Sequence, residues 1–286
     1  MVPAGSRHGD FAGRSFTLAR CLNCGFAGVV DPWLDYGAIY NDDYYEGRGA
    51  DPHIDYATAL TNPTSATQRY EWRGILTRVA SLTSLDQKTP WLDYGCGVGG
   101  LVRYLRAQGY GAVIGFEQGW SEKRLQDQGI PYLRDEELDA RRGQFDVITA
   151  IEVLEHAIDP LAELRRMRTL LRPGGVLFLT TGNARPYRNK LSRWRYVMPE
   201  VHISFFEPRT LALALEITGF DPRYPGFGPG WTDMYRAKAL RTVGRHTSSS
   251  LERVVPWVLL ARAFDAKLQL AGQPIGVVVR SGESAT

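Results

Sequence analysis

The stretch WLDYGCGVGG, residues 91–100, constrains this chain more than any other. An apolar run that opens with Trp91 and Leu92 ends on Asp93, and Gly95, Gly97, Gly99 and Gly100 follow almost at once. Glycine at that density permits backbone conformations closed to other residues and lets a ligand approach the main chain, at an entropic cost that needs a reason. LVRYLRAQG follows with Leu101, Tyr104 and Leu105 at helical spacing, so the unit reads strand, glycine turn, helix.

The chain beyond this turn alternates. GAVIGFE (111–117) is a β-rich run closing on Glu117, PYLRDEELD (131–139) a weak strand and an acidic loop, and FDVITAIEVLEH (145–156) a strand that turns polar. Asp159 and Pro160 suit the N-cap and first position of a helix that stops at Arg172-Pro173-Gly174-Gly175. GVLFLTT (175–181) is the next strand, 207–220 a leucine-faced helix, and strands are expected near 220–224 and at 274–281. Between those last two lies an insertion, 226–272, with an amphipathic helix near 251–271. Alternation of this kind predicts a doubly wound, mostly parallel α/β sheet, with its ligand at the carboxyl ends of the strands. Asp93, Glu117 and residues 150–156 all fall there.

A chain of 286 residues has room for one such domain and a small appendage. A net charge of +3 gives nucleic acid no electrostatic claim as partner, and three cysteines do not make a secreted disulfide scaffold. MVPAGSRHGD has no apolar core of a signal peptide, and no apolar run is long enough to span a bilayer, so the expected location is cytoplasmic.

LDYGCGVGG, the glutamate closing the next strand, FDVITAIEVLEH and LRPGGVLFLTT, in this order, resemble a class I S-adenosylmethionine-dependent methyltransferase. The resemblance covers about 65–225 and the final strand. It implies a Rossmann-like seven-stranded sheet with the last strand antiparallel, occupying 65–286 behind a leader, 1–60. It also implies S-adenosylmethionine as cofactor: Asp93, Gly95 and Gly97 around its methionine part, Glu117 on the ribose hydroxyls, Asp135 on the adenine side, and Ile151 and Glu152 below the methyl group. A nicotinamide dehydrogenase shares the layout, but its glycines are spaced Gly-x-Gly-x-x-Gly and it lacks the EVLEH and RPGG elements. Cys96, inside the turn, reads as a small filler.

LARCLNCGFAGVVDP (18–32) and IYNDDYYEGRG (39–49) resemble the leader of a group that includes deoxysugar methyltransferases, many of which carry a zinc ribbon of two Cys-x-x-Cys knuckles. Only Cys21 and Cys24 are present here, with His8 and His53 as the other nitrogen donors of the region. A structural zinc site needs four ligands, so this knuckle binds zinc only if others complete it. Tyr44 and Tyr45 match the paired aromatics of that leader, Tyr45 as a substrate contact. Arg69 and Arg73 stand where relatives often place an arginine near the cofactor carboxylate.

GNARPYRNKLSRWRYVMPEVHISFF (182–206) sets Arg185, Arg188, Lys190, Arg193 and Arg195 among Tyr187, Trp194 and Tyr196. Such a loop suits an anionic small-molecule acceptor, with Arg185, Arg188 and Arg195 as substrate residues. VHISFFEPRTL resembles an element at the entrance of such active sites, which makes His202 the first candidate base and His156 the second. The expected activity is methyl transfer to a sugar, nucleotide sugar or other glycan or natural-product precursor. A non-catalytic cofactor-binding partner subunit and a nucleic-acid methyltransferase stay open beside it. The attacked atom and the oligomeric state are not legible.

Overall fold

Strands with apolar side chains on both faces form the centre of the main sheet, as parallel strands covered on both sides must. In the computed structural model, which describes residues 1–45, 65–118, 121–223, 227–249, 252, 254–263 and 275–281, these are β4 (Trp91–Tyr94), β7 (Phe145–Ile151) and β8 (Leu171–Thr181). They join β5 (Val113–Phe116), β6 (Tyr132–Leu133), β10 (Phe220–Arg223) and β11 (Ile275–Ser281) in one sheet of order β10-β11-β8-β7-β4-β5-β6. The five strands from β8 to β6 are parallel, whereas β11 runs antiparallel to both β8 and β10. The chain leaves β4 for β5 on one side and returns to β7 on the other, so the order reverses beside β4, where such sheets bind ligands.

One face of the sheet packs on α3 (Gln68–Ala80) and α4 (Gly100–Ala107), with Ile75, Val79, Leu101, Val102 and Leu105 against Trp91, Val113 and Val147. The other packs on α7 (Pro160–Leu170) and α8 (Pro208–Ile217), with Leu164, Met167, Leu211 and Leu215 against Ile148, Leu177 and Leu179. Successive residues Val147 and Ile148 thus serve opposite layers, as the two-residue period of a strand requires. Asp159 caps α7 as expected, its carboxylate accepting from the N–H groups of Leu161 and Ala162, each at 3.0 Å. The helix ends at Leu170, and β8 begins at once: Leu171 pairs with Phe145, and the ladder resumes at Val176 against Val147.

The leader is sheet rather than a free knuckle. β1 (Val2–Gly9), β2 (Arg14–Arg20) and β3 (Ala27–Val29) pair antiparallel, and β9 (Ser204–Phe205) completes the sheet on β3. Leu18 and Ala27 are buried with Ala184, Leu191, Trp194 and Phe205, so leader and body share this core. The short helices α1 (Tyr36–Ile39) and α2 (Asp42–Tyr45) follow, and Ile39 and Tyr44 pack on Val98 of the glycine turn.

Two further short helices, α5 (Glu122–Asp127) and α6 (Asp135–Leu138), flank β6. In the insertion, a helix over 257–263 lies within the expected span, and residues 264–274 lie outside the described ones. The insertion also holds α9 (Trp231–Thr242), a helix not expected from the sequence, which crosses α3 at Gly74 and Gly230. Among the described residues no helix is long and apolar enough to cross a membrane.

Candidate active site

Gly95, Gly97 and Gly99 take φ values of +77°, +54° and +75°, the left-handed region that side chains disfavour. A Cβ on Gly95 would stand 2.6 Å from Val153 Cγ2, and one on Gly99 2.7 Å from Ile130 Cγ2. The turn is therefore a bare cradle at the end of β4. Glu117, just past β5, closes it: its Oε2 accepts the Gly97 N–H at 2.6 Å and its Oε1 the Gln118 N–H at 3.0 Å. Burial raises its carboxyl above the ordinary value, and the two N–H groups oppose that. A carboxylate so fixed can still accept both hydroxyls of a ribose.

Asp93 is only 4% exposed. The Trp91 indole donates to Thr149 Oγ1 at 3.1 Å, and that hydroxyl donates to Asp93 Oδ1 at 2.8 Å. Burial pushes the Asp93 carboxyl up to about 7; the Thr149 hydrogen bond opposes this and the Glu117 charge adds to it. Cys96 packs over Gly115, where a Cβ would meet its Sγ at 2.6 Å, and burial lifts its thiol well above the usual range. It fills space rather than reacts.

A second polar group sits at the ends of β7 and β8. Glu152 has φ +54°, the one non-glycine residue with positive φ among the described residues. Its Oε2 accepts from the Tyr196 hydroxyl at 2.8 Å, and the same hydroxyl touches Glu155 Oε1. Gly182 N–H donates to that hydroxyl at 3.1 Å, and Thr181 Oγ1 donates to Glu155 Oε2 at 2.9 Å. Burial and the neighbouring Glu152 charge drive the Glu155 carboxyl well up. Burial would raise Glu152 also, but Lys238, the Tyr196 hydroxyl, Arg241 and His202 outweigh it and hold the group at about 2. All the hydrogen bonds are satisfied when neutral Glu155 donates to Tyr196 and Tyr196 donates to ionised Glu152.

His202 is 4% exposed, and its Nδ1 lies 2.7 Å from the Tyr196 carbonyl. A carbonyl only accepts, so Nδ1 carries a proton, and in the neutral ring Nε2 is the nitrogen able to accept one. His156 Nδ1 meets the Tyr40 hydroxyl at 3.0 Å; burial, aided by His202, depresses this imidazole to about 3. The rings form a ladder: Tyr187 on Trp194 at 5.4 Å, Trp194 on Tyr196 at 4.8 Å, Tyr196 on His202 at 4.2 Å, and His202 on His156 at 4.9 Å. Glu155, His156 and His202 each offer a ligand atom within 4.8 Å of the others, the one such group among the described residues. Both Glu155 oxygens and one nitrogen of each histidine are already engaged by the protein.

The structure brings Asp93, Gly95, Gly97, Glu117, Ile151, Glu152, His156 and His202 to the carboxyl edge of the sheet. Asp135, just past β6 at the start of α6, lies on the same edge and is ion-paired with Arg166 at 2.7 Å. Arg188, expected to face the acceptor, makes a bidentate pair with buried Glu207, and Arg20 ties the leader to this pair, approaching Glu207 at 3.4 Å and donating to the Arg188 carbonyl at 3.1 Å. Arg185 and Arg195 are exposed, and the side chain of Tyr45 lies outside the described residues. Arg73 is bidentate on Asp233, and Arg69 reaches Tyr70 and Ser248, so both serve the α3–α9 region. Cys21 and Cys24 sit in the β2–β3 turn, and no third ligand joins them among the described residues. His8 pairs with Ser15 at the opposite end of the β1–β2 hairpin, roughly 20 Å along the strand from Cys21 at ~3.3 Å per residue. His53 lies outside the described residues. The described donors do not make a zinc site.

Four groups escaped the sequence reading as site residues. Thr149 was hidden as one more β-branched residue in a strand, and Tyr196 as one aromatic among several in a basic loop. Tyr40 stands just before the paired tyrosines of the leader motif. Lys238, whose Nζ stands 3.7 Å from Glu152 Oε1, belongs to a helix with no motif at all.

Residues 65–224 match the family model described as a methyltransferase domain. The ubiquinone biosynthesis O-methyltransferase of Aeromonas salmonicida (strain A449) is 32% identical over 146 residues, 45% of this chain and 61% of that protein. The protein of that name from Histophilus somni (strain 2336) is 42% identical over 82 residues, 29% of this chain and 31% of the relative. The chain thus spans less than two thirds of these curated relatives. Among solved structures, Haemonchus contortus phosphoethanolamine N-methyltransferase 2 in complex with S-adenosyl-L-methionine superposes with a TM-score of 0.53 at 13% identity, over 85% of this chain and 58% of that one. At that identity the likeness is one of fold. With more than half of its length inside the family model, on a doubly wound sheet with an acid-closed glycine cradle, the chain belongs to the class I S-adenosylmethionine-dependent methyltransferases.

Proposed function

We propose that this chain transfers a methyl group to a hydroxyl of a small polar acceptor: a sugar, a nucleotide sugar or another glycan or natural-product precursor. The observation that carries the reading is the polar group of Glu152, Glu155, Tyr196 and His202, built at strand ends beside the cofactor cradle. The curated relatives, named as O-methyltransferases, support oxygen as the attacked atom.

S-Adenosylmethionine supplies a methyl already activated by a sulfonium, so the chain's residues need only bind, align and move one proton. Glu117 takes the ribose hydroxyls, and the Gly95–Gly97 backbone with Asp93 receives the methionine part. Glu152 and the Tyr196 hydroxyl orient the acceptor through hydrogen bonds, and His202 Nε2 accepts the acceptor's proton. His156, held at about 3 and engaged by Tyr40, is too weak a base at neutral pH and fixes the loop instead.

Calorimetric titration with S-adenosylhomocysteine, followed by turnover with a panel of sugars and nucleotide sugars, tests this. Glu117→Ala is expected to lose cofactor binding. His202→Ala is expected to keep it while kcat falls about 10²–10⁴-fold. Wild-type turnover in His202→Ala would remove His202 from the mechanism. Tight cofactor binding with no turnover on any acceptor would favour a partner subunit without catalysis.

A further inference from the structure

The insertion helix α9 reaches the active site at one side chain. Its path is set by the crossing on α3, where Gly74 and Gly230 touch and Met234 fills the next turn. Ala237 and Leu240 are buried against Tyr70. One residue round from Ala237, Lys238 faces Glu152 at the end of β7, and one turn further Arg241 lies 3.6 Å from Glu71.

The Lys238 ammonium is poorly served where it stands. Its side chain is 27% exposed, and its nearest carboxylate oxygen, Glu152 Oε1, is 3.7 Å away, beyond hydrogen-bond length. It donates no hydrogen bond among the described residues. Glu152 leans on Tyr196 with its other oxygen, at 2.8 Å. Burial draws the ammonium below its usual value while the Glu152 charge supports it. An ammonium that makes no protein hydrogen bond, yet is held with part of its side chain exposed beside the carboxylate that orients the acceptor, can offer its N–H donors to a ligand oxygen.

The strand order says which ligand. Glu117, the ribose residue, follows β5, whereas Glu152 follows β7, two strands away across β4. At ~4.8 Å per strand that is about 10 Å from the ribose end. Lys238 therefore stands away from the ribose end, beside Glu152, the residue that orients the acceptor in the proposed function.

We propose that Lys238 is an acceptor-binding residue whose ammonium holds an anionic oxygen of the acceptor, a carboxylate or phosphate borne by the molecule that is methylated. This rests on the methyltransferase reading of the site. A compact ammonium on a flexible stem suits one oxygen rather than the two-pronged grip of an arginine, and neither Arg188 nor Arg73 is free to take the part.

The test uses the whole chain saturated with S-adenosylhomocysteine and labelled with 13C at the lysine Cε. Glucose 6-phosphate, glucuronate and glucose are the probes, and the Lys238 resonance is assigned by its loss in Lys238→Met. At least one of the two anions is expected to shift that resonance and raise its titration midpoint, while glucose does neither. In calorimetry that anion is expected to bind at least tenfold more tightly than glucose. Lys238→Met is expected to erase the preference and Lys238→Arg to restore part of it, with S-adenosylhomocysteine affinity unchanged within about threefold. A preference for phosphate over carboxylate, or the reverse, identifies the acceptor's charged group. A Lys238 resonance indifferent to both anions, or an anion preference that survives in Lys238→Met, overturns the proposal. Loss of S-adenosylhomocysteine binding by the wild type would instead overturn the reading of the site itself.

Discussion

Asp93 answers to two opposed demands. Its place at the cradle calls for a carboxylate, but its burial pushes the group up to about 7, against 3.8 for an ordinary aspartate. Between those values the folded protein holds a proton that the unfolded chain has released. Stability therefore falls as pH rises from about 4 to 7 and stays lower above, the reverse of a salt-bridged carboxylate. Asp93→Asn keeps an acceptor for the Thr149 hydroxyl and removes the charge. Its thermal midpoint is expected to exceed that of wild type by about 2–6 °C at pH 8 and to match it near pH 4, while S-adenosylhomocysteine binds at least tenfold more weakly. Scanning calorimetry across this range decides it, and a difference independent of pH would sink the idea. Glu152 shows the same trade in the backbone: a left-handed glutamate is strained by roughly 1–2 kcal/mol, and here it carries the hydrogen bond to Tyr196.

The contact of α9 with α3 depends on two residues without side chains. A Cβ on Gly230 would lie 2.1 Å from the Gly74 carbonyl oxygen, and its φ is +80°. Gly230→Ala is expected to destabilise by about 2–3 kcal/mol in urea melts, since the alanine is both left-handed and overpacked. Gly13→Ala is the control: φ is +62° with nothing within 4 Å of the added atom, so only the conformational cost of about 1 kcal/mol remains. Equal losses at the two sites would show that the helices do not meet as described. This crossing also explains what the sequence concealed. The strands from β4 to β8 were legible because double-sided burial writes unbroken apolar runs, and α7 because Asp159 and Pro160 mark its start. A helix seated through glycines and a methionine writes no wide apolar stripe, so α9 and Lys238 lie unmarked within the insertion. In the site, the glycine cradle, Glu117 and His202 stood in motifs, whereas Thr149 and Tyr196 act through partners far away in sequence. The arginines of the 182–206 loop are legible as charge but not as partners: nothing local in the sequence pairs Arg188 with Glu207, nineteen residues on.

The whole molecule is held as one body by strand pairing across the leader. Val29 N–H donates to the Ile203 carbonyl at 2.9 Å, and Ile203 N–H donates to the Glu155 carbonyl at 2.7 Å. Three backbone segments (leader, entrance loop and the end of β7) are thus joined at one residue beside His202. Glu200, 4% exposed, adds a second tie, its Oε1 accepting from the N–H groups of Phe11 and Ala12, both at 3.1 Å. An appendage that folds by itself would open by itself, and its amides would exchange long before those of the main sheet. Continuity through β9 predicts otherwise. In native-state hydrogen exchange, the β2 and β3 amides are expected to open with free energies within about 1–2 kcal/mol of those in β4 and β7. Adding S-adenosylhomocysteine is expected to slow exchange at Val29 and Ile203 along with the glycine turn, because Ile39 and Tyr44 of the leader pack on Val98 within that turn. Leader amides that exchange by a separate, low-energy opening, indifferent to ligand, would make it a detachable module, and His202 would then owe its position to the body alone.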